Sequence, residues 1–116
     1  MTTILIQDET TLGGVQNTFD LWIGTTEASG REIIRQRVMQ EVAAHNAGKQ
    51  SDGLIRPKSK QVSAETQIAR AFAAFEENGF LMLVDNQQIT DLDTTFYIIA
   101  NKTTVTFLRL IPLVGG

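Results

Sequence analysis

At 116 residues the chain is long enough to bury one hydrophobic core without metal or disulfide support, and its length asks for no second domain. Hydrophobic residues make up 42% and charged residues 20%, which excludes a disordered polymer, while a net charge of −3 excludes a global field for nucleic acid or anionic lipid. There is no cysteine, which excludes a thiol nucleophile, a zinc–thiolate centre and a disulfide, and agrees with a reducing cytoplasmic compartment. No apolar run approaches the ~20 residues of a membrane helix, and the start of the chain lacks the basic opening of a signal peptide. The expectation is therefore a soluble, unexported single domain over residues 1–116, with proteins rather than nucleic acid or membrane as partners.

Thr3-Ile4-Leu5-Ile6-Gln7 is short and rich in β-formers, and the stretch from Asn17 to Ile23 alternates apolar with polar up to Trp22. Thr11-Leu12-Gly13-Gly14 between them supplies turn residues, so the pair reads as an antiparallel hairpin with a longish loop. Ser29-Gly30-Arg31-Glu32 fits a capping box, Ile34, Val38 and Val42 recur every four residues, and Gly48 offers a left-handed stop, which predicts a helix over 30–47. Residues 49–62 change to Gly, Ser and Pro with Lys49, Arg56, Lys58 and Lys60, and read as a basic surface loop without a periodic apolar face.

A second helix is expected from Ser63 to Gly79, with Ile68, Phe72 and Phe75 on one side. Phe80 to Val84 is an apolar run of strand length, Asp85-Asn86 a turn, and Gln87-Gln88-Ile89 a short returning strand. Between Thr90 and Lys102 the pattern is irregular, yet Leu92, Phe96, Tyr97, Ile98 and Ile99 ask to be packed as a loop or short helix under the sheet. Thr103 to Leu108 closes as a β-branched strand with Val105 and Phe107 inward, and first and last strands are expected side by side at the sheet centre. Truncation of Trp22 or Phe107 is expected to cost roughly 3–5 kcal/mol if those side chains are buried. The whole is an α+β layout, one mixed sheet with helices on one face.

Enzyme signatures are nearly absent. His45, the only histidine, falls near the end of the first helix, where it complements the helix dipole. Asp85, Asp91 and Asp93 lie in turns where aspartate is common and do not follow an EF-hand pattern. Gly13-Gly14 is followed by neither a helix start nor Lys-Ser or Lys-Thr, so it is a hairpin pair and not a phosphate loop.

The chain's last stretch, LRLIPLVGG, is the unusual feature. Two residues without side chains enter a channel that a Cβ would block, which suits an acyl-donor terminus. A separate enzyme that adenylates Gly116 could pass its carbonyl to a thiol and then to an amine, with this chain contributing only the acyl group. Leu110, Ile111, Pro112, Leu113 and Val114 then dock on activating and conjugating enzymes as an extended segment, with Pro112 lowering the ordering cost. ATP is consumed by the activating enzyme, so the chain itself needs no cofactor, binds no metal and is no enzyme. The structural alternative is a segment that folds back on the core.

Leu81-Met82-Leu83-Val84-Asp85-Asn86-Gln87-Gln88-Ile89 is similar to the third strand, turn and short fourth strand of the ubiquitin-like β-grasp family. Tyr97-Ile98-Ile99-Ala100-Asn101-Lys102-Thr103-Thr104-Val105 aligns without a gap on the ubiquitin segment leading from its buried tyrosine into the last strand. The resemblance implies a β-grasp sheet with a main helix, an inserted helix between Lys49 and Gly79, and a flexible tail over 109–116. It also implies an outward protein-binding patch of Leu83 and Leu108, with Leu12 as third member. Pro112 and Val114 stand where ubiquitin has arginines, which implies a dedicated activating enzyme.

The chain looks most similar to bacterial ubiquitin-like modifiers encoded beside their own enzymes, several of which serve antiphage defence. The partners so implied are an activating enzyme, a conjugating enzyme, a target protein and, as a further candidate, a deconjugating protease. Two other readings stay open: a sulfur carrier forming a terminal thiocarboxylate, and a non-covalent adaptor using only the sheet face.

Overall fold

Strand alternation and two capped helices build the molecule, and the computed structural model describes residues 2–49 and 53–110. The elements in chain order are β1 (Thr2–Thr10), β2 (Gly14–Ile23), β3 (Glu27–Ser29), α1 (Gly30–Asn46), α2 (Ala64–Glu76), β4 (Phe80–Val84), β5 (Gln87–Ile89), β6 (Thr95–Tyr97) and β7 (Thr104–Arg109). Five strands form a mixed sheet in the order β2-β1-β7-β4-β5, with β1 and β7 parallel and every other pairing antiparallel. The first and last strands are neighbours, as the apolar character of both predicts.

Period-two side chains send Ile4, Ile6, Leu21, Ile23, Phe80, Met82, Val105 and Phe107 to one face, where Ile33, Ile34, Val38 and Val42 of α1 close the core. Helix α1 starts where Ser29 Oγ accepts from the Glu32 amide at 3.3 Å, and the chain leaves it through Gly48 at φ +81°. Helix α2 is capped by Ser63 and packs along α1, and Phe75 meets Phe80 edge-on at 6.0 Å. The opposite face of the sheet carries no helix among the described residues.

Four details depart from the sequence expectations. Trp22 is 47% exposed and not in the core, because Leu21 and Ile23 take the inward positions on either side and strand parity sends it outward beside Thr3. Residues 90–102 hold strand β6, paired antiparallel with the unforeseen strand β3 in a separate two-stranded sheet. Tyr97, expected at a buried position, is 77% exposed and Ile99 is exposed too, since Phe96 and Ile98 take the inward side of this stretch.

The basic loop is also less open than expected. Ile55 is buried and Leu54 partly so, and the segment is sewn to α1 by side chains. Asn46 pairs with Val62 through both its amide groups, at 2.9 and 3.1 Å. His45 Nε2 lies 2.6 Å from the Ser59 carbonyl, which only accepts, so that nitrogen carries the proton.

Candidate functional site

The sheet face turned away from α1 follows from register. Leu81 pairs with Leu108, Leu108 with Glu9, and Glu9 with Val15, while Leu83 pairs with Thr106 and Thr106 with Gln7. Paired residues share a face, so Leu81 and Leu83 of β4, Leu108 of β7 and Val15 of β2 lie on one face, with Glu9 of β1 between Leu108 and Val15. Leu83 and Leu108 are therefore brought together as diagonal neighbours, both half-buried. Leu12 is exposed in the β1–β2 turn, and the Thr11 amide donates to the Arg109 carbonyl at 3.2 Å, which puts that turn at the sheet end where β7 finishes. Leu81 and Val15 were missed from sequence. Strand parity would have found Leu81, but Val15 reaches this face only through the bulge between Asp8 and Glu9.

Leu110 leaves β7 exposed at that same end. The other members of the sequence-derived terminal site, Ile111, Pro112, Leu113, Val114, Gly115 and Gly116, lie outside the described residues.

Beneath the departure point sits a cavity of about 510 Å³, walled by β1 and β2 on one side and by Gly53, Leu54 and Arg56 on the other, with Phe80 and Phe107 at its floor and Arg109 at its lip. Its inner wall is Arg37, 1% exposed in the middle of α1, a residue that no sequence signal singled out. Arg37 donates through both Nη atoms to Asp8, at 2.6 and 2.7 Å, and through Nε to Glu41 at 2.7 Å. Its guanidinium also lies over Phe107, 4.5 Å from the ring centre. Burial alone would lower its pKa. The Asp8 hydrogen bonds and the charges of Glu41 and Asp8 outweigh that and raise it above the ordinary value.

Glu41 uses its other oxygen to accept from the Ile55 amide at 3.0 Å, so one buried network joins β1, α1 and the inserted loop. Gly53 is forced by it, because a Cβ there would run into the Glu41 carboxylate. The Gly53 carbonyl in turn accepts from Arg56 and, at 3.5 Å, from Arg109. The arrangement is a rigid seat under the end of β7. It contains no histidine, serine or cysteine paired for nucleophilic attack.

The three turn aspartates serve local structure. Asp93 holds Arg31 at 2.8 Å, Asp91 accepts from the Asp93 amide and Asp85 from the Thr104 amide. The Asp93 carboxyl is held below the usual range by the hydrogen bond from Arg31. Among the described residues no cluster of three or more metal-ligating side chains occurs, and no helix is long and apolar enough to cross a membrane. No protein-family model, no curated protein and no solved structure matches the chain.

Proposed function

We propose that the chain is a β-grasp protein of the ubiquitin-like kind, a modifier whose Gly116 carboxylate, native or exposed by trimming, is adenylated by a separate enzyme and transferred through a thioester to an amine. The observation that carries the reading is the path of the last strand. Strand β7 lies centrally in the sheet, parallel to β1, and delivers Arg109 to an end of the sheet from which only five residues lead to the diglycine. The α+β layout with α1 across one sheet face is compatible with that architecture.

Partner recognition is assigned to two surfaces that meet near the end of β7. One is the outward cluster of Leu83 and Leu108, extended by Leu81, with Val15 beyond Glu9 and Leu12 in the adjoining turn; an exposed apolar surface of this kind is suited to a protein partner. The other is the segment from Leu110 to Val114, read as an extended graft into the enzyme's groove. A defence role in bacteria and a cytoplasmic setting belong to this same proposal.

The test is reconstitution. Incubation with ATP and each adenylating enzyme encoded near the chain's gene is expected to yield a reductant-sensitive thioester on one of them, followed by amine-linked conjugates. A product heavier only by the exchange of one oxygen for sulfur would identify a sulfur carrier instead. Full cellular activity of a chain lacking Gly116 would leave only the adaptor reading.

A further inference from the structure

We propose that the inserted loop and the first turn of α2 form an oxyanion site for the phosphate of a small phosphomonoester, independent of the diglycine. The sequence reads the loop as solvated charge, but it folds against α2 to border an open cavity of about 430 Å³. Arg56, Lys58 and Arg70 line it together with Ser63, Thr66 and Gln67, and no carboxylate is in the wall. Arg56, Lys58 and Arg70 form no salt bridge with any described residue. Arg56 is oriented by its bond to the Gly53 carbonyl and keeps further N–H donors to offer.

The residue that turns a basic surface into a site is Gln67. It is 5% exposed, yet its side-chain amide makes no hydrogen bond with a described residue, and it lines both this cavity and a neighbouring one of about 430 Å³ that Arg56 and Arg70 share. Among the described residues no buried side-chain N or O atom lacks a partner, so the unpaired Gln67 amide is one that opens onto the cavity, where its donors and acceptor meet whatever occupies it. The 13-residue α2 adds the positive end of its dipole and the free amides of its first turn. Ser63 Oγ accepts from the Thr66 amide at 3.5 Å and retains its own hydrogen for donation. Glu65, the acidic residue of that turn, is not part of the wall.

Three cations, the three hydroxyls of Ser59, Ser63 and Thr66, and an amide match a dianion with three terminal oxygens better than a carboxylate with two. Val62 is the one apolar lining residue, which favours a ligand with a small polar body.

The experiment is an amide-resolved NMR titration of the full chain with inorganic phosphate and, separately, with O-phosphoserine, ionic strength held constant with chloride. Saturable shifts of the Gln67 side-chain amide and of the Ala64 and Glu65 backbone amides are expected. Removing one charge-assisted contact by Arg70→Gln or Lys58→Gln is expected to weaken binding about tenfold. Arg35→Gln, on α1 and outside the cavity wall, should change nothing. All three side chains are on the surface, so melting temperatures serve as the folding control. Tighter binding of O-phosphoserine identifies an organic phosphate ligand, and equal binding a free phosphate. Shifts that stay linear in both titrations, or binding that survives Arg70→Gln and Lys58→Gln together, would overturn the site.

Discussion

Arg37 is the residue on which the interior is most sensitive to change. Its charge is matched by Asp8 and Glu41, whose side chains are 20% and 9% exposed, so neither carboxylate can fall back on full hydration when the cation is removed. Arg37→Met is expected to cost about 3–5 kcal/mol in urea unfolding, and removing Asp8 and Glu41 in the same chain should recover much of it. Gly53→Ala acts on the same network from the loop side: its Cβ must displace the Glu41 carboxylate, which Arg37 and the Ile55 amide hold in place. A loss of about 1–3 kcal/mol is expected, measured by the same unfolding curve. The Arg31–Asp93 pair is the contrast, with both side chains largely in water. Because the folded Asp93 carboxyl lies below its unfolded value, its contribution is present above the ordinary carboxylate range and is lost as pH falls through the depressed value. Asp93→Asn should therefore flatten the acid limb of stability slightly, and added salt should erase the difference.

At the scale of elements, strand parity decides which aromatic residues matter. Phe107 is 3% exposed, tilted against Phe80 at 5.6 Å, and covered by Arg37. Phe107→Ala is expected to cost roughly 3–5 kcal/mol by thermal or urea unfolding, and Trp22→Ala clearly less, since nearly half of that side chain is already in water. A local alternation rule could have reached this result, because Leu21 and Ile23 flank Trp22. The turn between β4 and β5 was legible too. Asp85 and Asn86 take φ of 48° and 70°, a pair of left-handed residues of the kind a two-residue hairpin demands. Asn86→Gly should leave the hairpin intact, whereas a β-branched Asn86→Val should cost about 1–2 kcal/mol in the same assay. What no local rule could reach is the β3–β6 sheet. Its strands are three residues each, and Ala28 and its partner Phe96 stand 68 positions apart in the chain, so their pairing exists only because α1 and the main sheet bring them together.

For the whole molecule, the functional proposal predicts a separation of stability from transfer. Gly116→Ala should leave the melting temperature unchanged and slow thioester formation by at least about tenfold, because a single Cβ obstructs the partner's channel. A variant with Leu83 and Leu108 changed to serine should instead weaken partner binding with a modest stability loss, read by titration against the activating enzyme.

By itself the sequence determined the elements whose signals are local: the hairpin, the Ser29 and Ser63 caps, the β4–β5 turn, the inward Val105 and Phe107, and the diglycine. Those signals are periodicity, capping chemistry and backbone permissiveness, each read within a few residues. Only the tertiary structure decided that Arg37 is buried between two carboxylates, that a basic loop is held down by Glu41 and Asn46, and that Gln67 faces a cation-lined cavity. These depend on which distant groups meet once water is excluded, and a side chain's charge or polarity carries no record of its eventual partner.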